Sequence, residues 1–289
     1  MTGKVWFITG SSTGFGRLMT ELVLRNGDFA VATLRKPEVL ADLVAKQPKE
    51  RLLVLKLDVT HPHDIEKAFV AATAQFGRID IVFNNAGYPI VGELESVPEE
   101  MGRALFDTNV WGAVNVTKEA LRVFREVNEP VGGILLQVSS QLGIEAGAGF
   151  AHYGASKYAL NGISTAVAQE LDPEWNIKIV IVEPGSFATP VLGNTIMPPP
   201  HQAYTKANGV IATLRGWVGQ ASAEVAADPA KAVEVIYRVT QMPDPPLFFP
   251  LGKDAVQRAR HHASKLLADT DRVASLSDNL GSKAYSSAT

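Results

Sequence analysis

The sequence predicts one doubly wound α/β domain, a parallel sheet of about seven strands with helices on both faces. Three observations carry that expectation. Short apolar runs alternate with helical stretches along the chain, the pattern of repeated βαβ units. The runs are nearly continuous in Val, Ile, Leu and Phe, as strands buried on both faces require. The first run, ending at Thr9, opens directly into a glycine-rich bend and then a helical stretch.

In chain order, strands are expected at residues 5–9, 29–34, 52–57, 79–83, 134–138 and 177–182, with 248–251 as a seventh. Helices are expected at 17–26, 64–75, 99–127 and 153–170, the last stopped by Pro173. A Pro-rich stretch at 197–200 opens a flap inside the domain, so residues 186–221 are read as a substrate flap. Residues 253–289 form a C-terminal extension, helix-like over 254–269 and ending in a Ser-rich stretch that should fray. Residues 1–289 thus read as a single Rossmann-type domain.

With 289 residues and 46% hydrophobic content the chain can bury a sizeable core. Lys plus Arg (27) nearly balance Asp plus Glu (30) with no long run of either sign, which argues against nucleic acid and anionic membrane as partners. There is no cysteine, so disulfides, thiolate zinc sites and Cys nucleophiles are excluded. Close histidine pairs occur only as His61 with His63 and His261 with His262, with no third ligand at a useful spacing, so no metal is expected. The N-terminal MTGKVWFITG reads as a strand and not a leader, and no run approaches the ~18 apolar residues of a spanning helix. A cytoplasmic protein is the expectation.

The bend after the first strand holds Gly10, Ser12, Thr13, Gly14, Phe15 and Gly16 in the spacing G-x-x-x-G-x-G. Glycines there let the backbone approach a pyrophosphate while the helix N-terminus offers free N–H groups. This resembles the TGxxxGxG turn of the short-chain dehydrogenase/reductase family. Further stretches fall where that family has them: Asp58 with Val59, Asn84 to Gly87, Ser139 with Ser140, Tyr153 with Lys157, and Pro184, Gly185 and Thr189. The resemblance covers about residues 4 to 190. It implies a nicotinamide dinucleotide cofactor, with Asp58 at the adenine and Asn85, Ala86 and Gly87 along the adenosine ribose. It also implies that Pro184, Gly185, Phe187 and Thr189 border the nicotinamide, where Thr189 would bond the carboxamide.

Many NAD-binding folds carry an acid just after the second strand, to accept from the ribose hydroxyls. Here residues 30–37 hold none, and Arg35 and Lys36 stand in its place. A planar guanidinium suits a 2'-phosphate, so NADP(H) is preferred over NAD(H), and Arg17 is placed in the same pocket.

Tyr153 and Lys157 are four apart, hence on one helix face one turn apart. A neighbouring ammonium and an oxidised nicotinamide would both favour phenolate, drawing down the phenol's pKa and making Tyr153 a usable acid and base. Following the family, Lys157 would also hold the nicotinamide ribose. Ser140, thirteen residues before Tyr153, has the family spacing for the hydroxyl that bonds the substrate oxygen. Asn109 matches the family asparagine that links Lys157 to a water chain.

Substrate walls are expected at residues 88–94, at 142–150 and in the flap. Gly143, Gly147, Ala148 and Gly149 are small, while Phe150, Phe187, Leu192, Met197, Tyr204 and Trp217 are large and apolar. A ketone or secondary alcohol on an apolar or aromatic skeleton follows, and with it a carbonyl reductase. No Arg or Lys is fixed by motif at the reacting centre, which disfavours a small carboxylate, although Lys206 and Arg215 keep it open. The alternatives are a lyase or epimerase on the same fold, and a non-catalytic NADP-sensing protein. A homo-oligomer, dimer or tetramer, stays open alongside the monomer, since the C-terminal extension would alter the tetramer contact of shorter family members.

Overall fold

The computed structural model describes residues 3–189, 195–206, 209–220, 226–278 and 280. Its strands are β1 (Val5–Thr9), β2 (Phe29–Leu34), β3 (Leu52–Lys56), β4 (Ile81–Asn84), β5 (Gly133–Val138), β6 (Ile177–Pro184) and β7 (Phe248–Leu251). All pair in parallel, in the order β3-β2-β1-β4-β5-β6-β7. The seven expected runs are these seven strands, with ends shifted by at most two residues. Helices are α1 (Gly14–Arg25), α2 (Ala41–Val44), α3 (Pro62–Phe76), α4 (Glu99–Phe106), α5 (Ala113–Glu126), α6 (Ala151–Glu170), α7 (Val210–Gln220), α8 (Pro229–Val239) and α9 (Lys253–Val273).

Strand side chains alternate between two cores, which is why the runs are apolar throughout. Trp6, Ile8, Ala30, Ala32, Phe83 and Val180 face α1 and α8, where Met19, Val23, Val233 and Ile236 meet them. Val5, Phe7, Val31, Val82 and Leu135 face α3 and α5, against Ile65, Phe69, Val116, Ala120 and Phe124. Each such buried Val, Leu, Ile, Phe or Met side chain stabilises the fold by roughly 1.5–3 kcal/mol. Across β4 and β5, Asn84 Nδ2 donates to Gln137 Oε1 at 2.7 Å, and Gln137 Nε2 donates to Thr117 Oγ1 at 2.8 Å, which registers α5 on the sheet.

One expected helix changes its winding part-way along. The stretch 99–127 divides into α4 and α5 around a wide π-helical turn, Asp107–Gly112. No Pro lies in it, its last residue Gly112 packs closely on Val59, and the wider turn carries Asn109; π-turns of this kind collect at functional sites. The extension forms α9, of whose residues Ala255 is buried. The Ser-rich end, 281–289, lies outside the described residues. No helix among the described residues is long and apolar enough to cross a membrane.

Candidate active site

The carboxyl ends of the strands open into a cleft of about 1800 Å³. Small-molecule pockets reach about 1000 Å³, so this one has room for a dinucleotide and a second molecule. Gly10, Ser12, Thr13, Gly14 and Phe15 line it after β1, Arg35 after β2, and Asp58 with Val59 after β3. Asn85, Ala86 and Gly87 line it after β4, Ser140 after β5, and Pro184, Gly185, Phe187 and Thr189 at the end of β6. Tyr153 and Lys157 face the same space from α6. Gly16 and Asn109 stand behind the wall, both buried.

Gly16 is a packing requirement: a Cβ there would lie 2.2 Å from the Gly10 carbonyl oxygen. Gly14 adopts φ +54°, a left-handed conformation that favours glycine. Thr13 precedes α1 without a side-chain cap, and the first turn has no acid, so free N–H groups and the positive helix end face the cleft. Thr9 Oγ1 accepts from the backbone N–H of Asn85 and of Ala86, each at 2.9 Å, joining the bends after β1 and β4 where strand order reverses. This donor set fits a pyrophosphate.

At the far end, burial opposes ionisation of Asp58, but bonds from Thr60 N (3.0 Å) and Oγ1 (2.8 Å) and the charges of His61 and Arg35 hold its carboxyl below the usual value. Arg35 and Lys36 are exposed on the cleft rim. Arg17 is not with them. Its guanidinium pairs with Glu21 one helical turn on and with Asp42 at 2.7 Å, so two carboxylates have taken the charge that the sequence reading assigned to the pocket.

Tyr153 faces the Ser140 hydroxyl, and the Lys157 ammonium lies 5.7 Å from the centre of its ring. Burial pushes the phenol up to about 12 against the Ser140 hydroxyl, which pulls it down. The ammonium was expected to lower it; in the protein alone, burial decides the direction and the Ser140 hydroxyl is what opposes it. Burial likewise brings Lys157 down to about 8, and its Nζ donates to the Val138 carbonyl at 2.8 Å. Asn109 Oδ1 accepts from Tyr88 N at 3.1 Å while its Nδ2 donates to Tyr88 O and Ser156 Oγ, so it braces the post-β4 loop against α6. No direct Asn109 to Lys157 bond is present.

A family model described as short chain dehydrogenase matches residues 4–197. The chain belongs to the short-chain dehydrogenase family. It is 38% identical over 282 residues to the oxidoreductase calM of Penicillium decumbens, covering 94% of this chain and 91% of that one. It is 36% identical to the oxidoreductase BOA17 of Botryotinia fuckeliana, covering 95% and 98% respectively. A solved short-chain dehydrogenase of Streptomyces avermitilis superposes with a TM-score of 0.85 at 34% identity, over 97% of this chain and 99% of that one. The protein is therefore an oxidoreductase of the short-chain dehydrogenase family.

On the expected substrate side of this short-chain dehydrogenase, Tyr88, Val91, Leu142, Phe150, Phe187 and Ile196 line the cleft. Met197 and Tyr204 do not: they are 39% and 40% exposed, and the Tyr204 hydroxyl donates to Glu95 at 2.6 Å. Leu192 and the side chain of Trp217 lie outside the described residues. Gly143 and Gly149 pack against Ser139 and Leu214 instead of widening the pocket. Lys206 is exposed and off the cleft. Arg215 forks onto Glu93, with Oε2 at 2.7 Å and Oε1 at 3.3 Å, and donates to Pro198 O at 2.7 Å. Glu93 is held down at about 2, chiefly by Arg215 and against burial.

Other groups were missed from sequence because their partners are distant along the chain. Asp254 Oδ2 accepts from Ser186 N at 2.7 Å and from Gln141 Nε2 at 3.2 Å. Arg258, which lines the cleft, donates from Nε to Gln141 Oε1 and from an Nη to Glu145 O, both at 3.1 Å. Buried Glu183 accepts from Asn161 Nδ2 at 2.8 Å, and burial pushes it up to about 7 against that bond.

Proposed function

We propose that this short-chain dehydrogenase transfers hydride between NADP(H) and a ketone or secondary alcohol on an apolar or aromatic skeleton. The reading rests chiefly on Tyr153, a buried phenol on the cleft wall that faces one hydroxyl and lies beside one ammonium. Its raised pKa keeps the proton in place at neutral pH, the form a general acid needs for reduction.

Gly10 to Gly16 and the α1 N-terminus would hold the pyrophosphate, Asp58 the adenine, and Arg35 the 2'-phosphate. Pro184, Gly185, Phe187 and Thr189 would border the nicotinamide. When bound, the cofactor supplies or accepts the hydride. Ser140 donates a hydrogen bond to the substrate carbonyl oxygen and orients it toward Tyr153. As negative charge develops on that oxygen, the Tyr153 O–H bond breaks and a new O–H bond forms on the substrate. Lys157, charged below about pH 8, stabilises the phenolate left behind. Oxidation of the alcohol runs these transfers in reverse.

The experiment is a panel of aryl and alkyl ketones with purified protein, following cofactor absorbance with NADPH and with NADH. Net NADPH consumption with a larger kcat/KM than for NADH is expected. Turnover without net cofactor consumption would mark a lyase or epimerase instead, and an equal or larger kcat/KM with NADH would overturn the cofactor assignment.

A further inference from the structure

The N-terminus of α9 is built into the cleft wall. β7 lies two strands from β5, so α9 begins roughly 10 Å from the Ser140 strand end at the usual strand spacing. Asp254 is wedged beneath the bend after β6: a Cβ on Gly185 would stand 2.0 Å from its Oδ1. One helical turn on, Arg258 reaches into the cleft, and Gln141 bridges Asp254 and Arg258 from the position next to Ser140.

Arg258, unlike the half-buried Arg51 that also bonds only carbonyls, lines the cleft. Both acceptors of Arg258, the Gln141 amide oxygen and the Glu145 carbonyl, are neutral. Among the described residues Arg258 forms no ion pair, while Arg17 and Arg215 are each held by carboxylates. Arginine has five N–H donors, and two are used. A half-buried cation on a ligand-sized cleft, fixed in orientation and linked to the Asp254 carboxylate only through Gln141, has N–H donors left to receive an anion. The glycine bend that would hold a pyrophosphate follows β1, four strands from β7 in the sheet order.

We propose that Arg258 recognises a carboxylate on the substrate, so that the preferred ketone carries an anionic arm on its apolar or aromatic skeleton. This rests on the ketone-reductase reading and narrows its substrate class. The arm is several bonds long, since Arg258 stands on α9 behind Gln141, the residue that follows Ser140. Arg215 and Lys206 take no part.

The test uses matched ketones with NADPH: 3-benzoylpropanoate and 4-benzoylbutanoate, each against its methyl ester. The wild-type protein should favour at least one acid over its ester in kcat/KM by about tenfold to hundredfold, the range of a charge-assisted bond. In Arg258→Met that ratio should fall to within about threefold of unity, and Arg258→Lys should restore part of it, because a point charge replaces a fork. Circular dichroism and melting of each variant confirm folding, and a ratio taken within one variant is insensitive to its active fraction. If the wild-type protein reduces the esters but shows no acid preference, or if Arg258→Met keeps the preference, the proposal is overturned while the reductase reading stands. If neither acid nor ester is reduced, the reductase reading falls first.

Discussion

Replacing Arg215 by Met tests whether the flap is fastened over the cleft by one ion pair. The Glu93 side chain is 2% exposed and that of Arg215 16%. Glu93 leaves the loop after β4 and Arg215 sits on α7, so the pair joins the two sides of the expected substrate wall. The same loop meets the expected flap again where Val91 N donates to Ile196 O at 3.0 Å. Removing one partner of a buried pair costs roughly 3–5 kcal/mol, because the other charge stays buried alone. Water reaching the guanidinium puts this pair at the low end, about 3 kcal/mol. That corresponds to a flap-closing equilibrium weakened by about a hundredfold. Steady-state kinetics on a bulky ketone should therefore show KM raised at least tenfold with kcat changed much less, and proteolysis near Lys206 should accelerate. The double variant Glu93→Gln with Arg215→Met should recover part of the loss, since no charge is then stranded. A KM within about threefold of the wild-type value, or a fall in kcat at constant KM, would refute the fastening.

Further expectations concern charge. Arg35→Ala should raise the KM for NADPH by about tenfold to hundredfold, the loss of a charge-assisted bond, and leave that for NADH nearly unchanged; a parallel loss with both cofactors would remove Arg35 from the 2'-phosphate. Reductive kcat/KM should fall as pH rises through about 8, where Lys157 loses its proton, and a pH profile flat to about 10 would show that its charge is not needed. Glu183 is raised from 4.5 to about 7 by burial, so the folded chain binds that proton more tightly and stability declines as pH climbs between those values. Glu183→Gln should flatten that decline in thermal melts across the same range, and an unaltered slope would refute burial as its cause.

The strands were legible because the sheet is covered by helices on both faces, which leaves an unbroken apolar run such as Ile179–Val182 in the sequence. The candidate site was legible where its residues are close in sequence, as in the glycine bend and in Tyr153 with Lys157, which line one cleft. Interactions between distant segments were not. Arg258 meets Gln141 across 117 residues and Arg215 meets Glu93 across 122, and neither leaves a local pattern. The π-turn around Asn109 was hidden because the chain stays helical through it, so the pattern shows no gap. Arg17 is a different case: Glu21 at i+4 was visible, but Asp42, which completes its pairing, comes from α2. The phenol's pKa went the other way because spacing reveals a neighbouring charge, whereas desolvation depends on the whole wall.

The most direct test is the Tyr153→Phe variant, which keeps the ring and removes the hydroxyl. With NADPH binding retained, as followed by cofactor fluorescence, ketone-reduction kcat should drop by about 10²–10⁴-fold, the span of a general acid. A variant that bound NADPH and kept most of its kcat would contradict proton transfer through Tyr153.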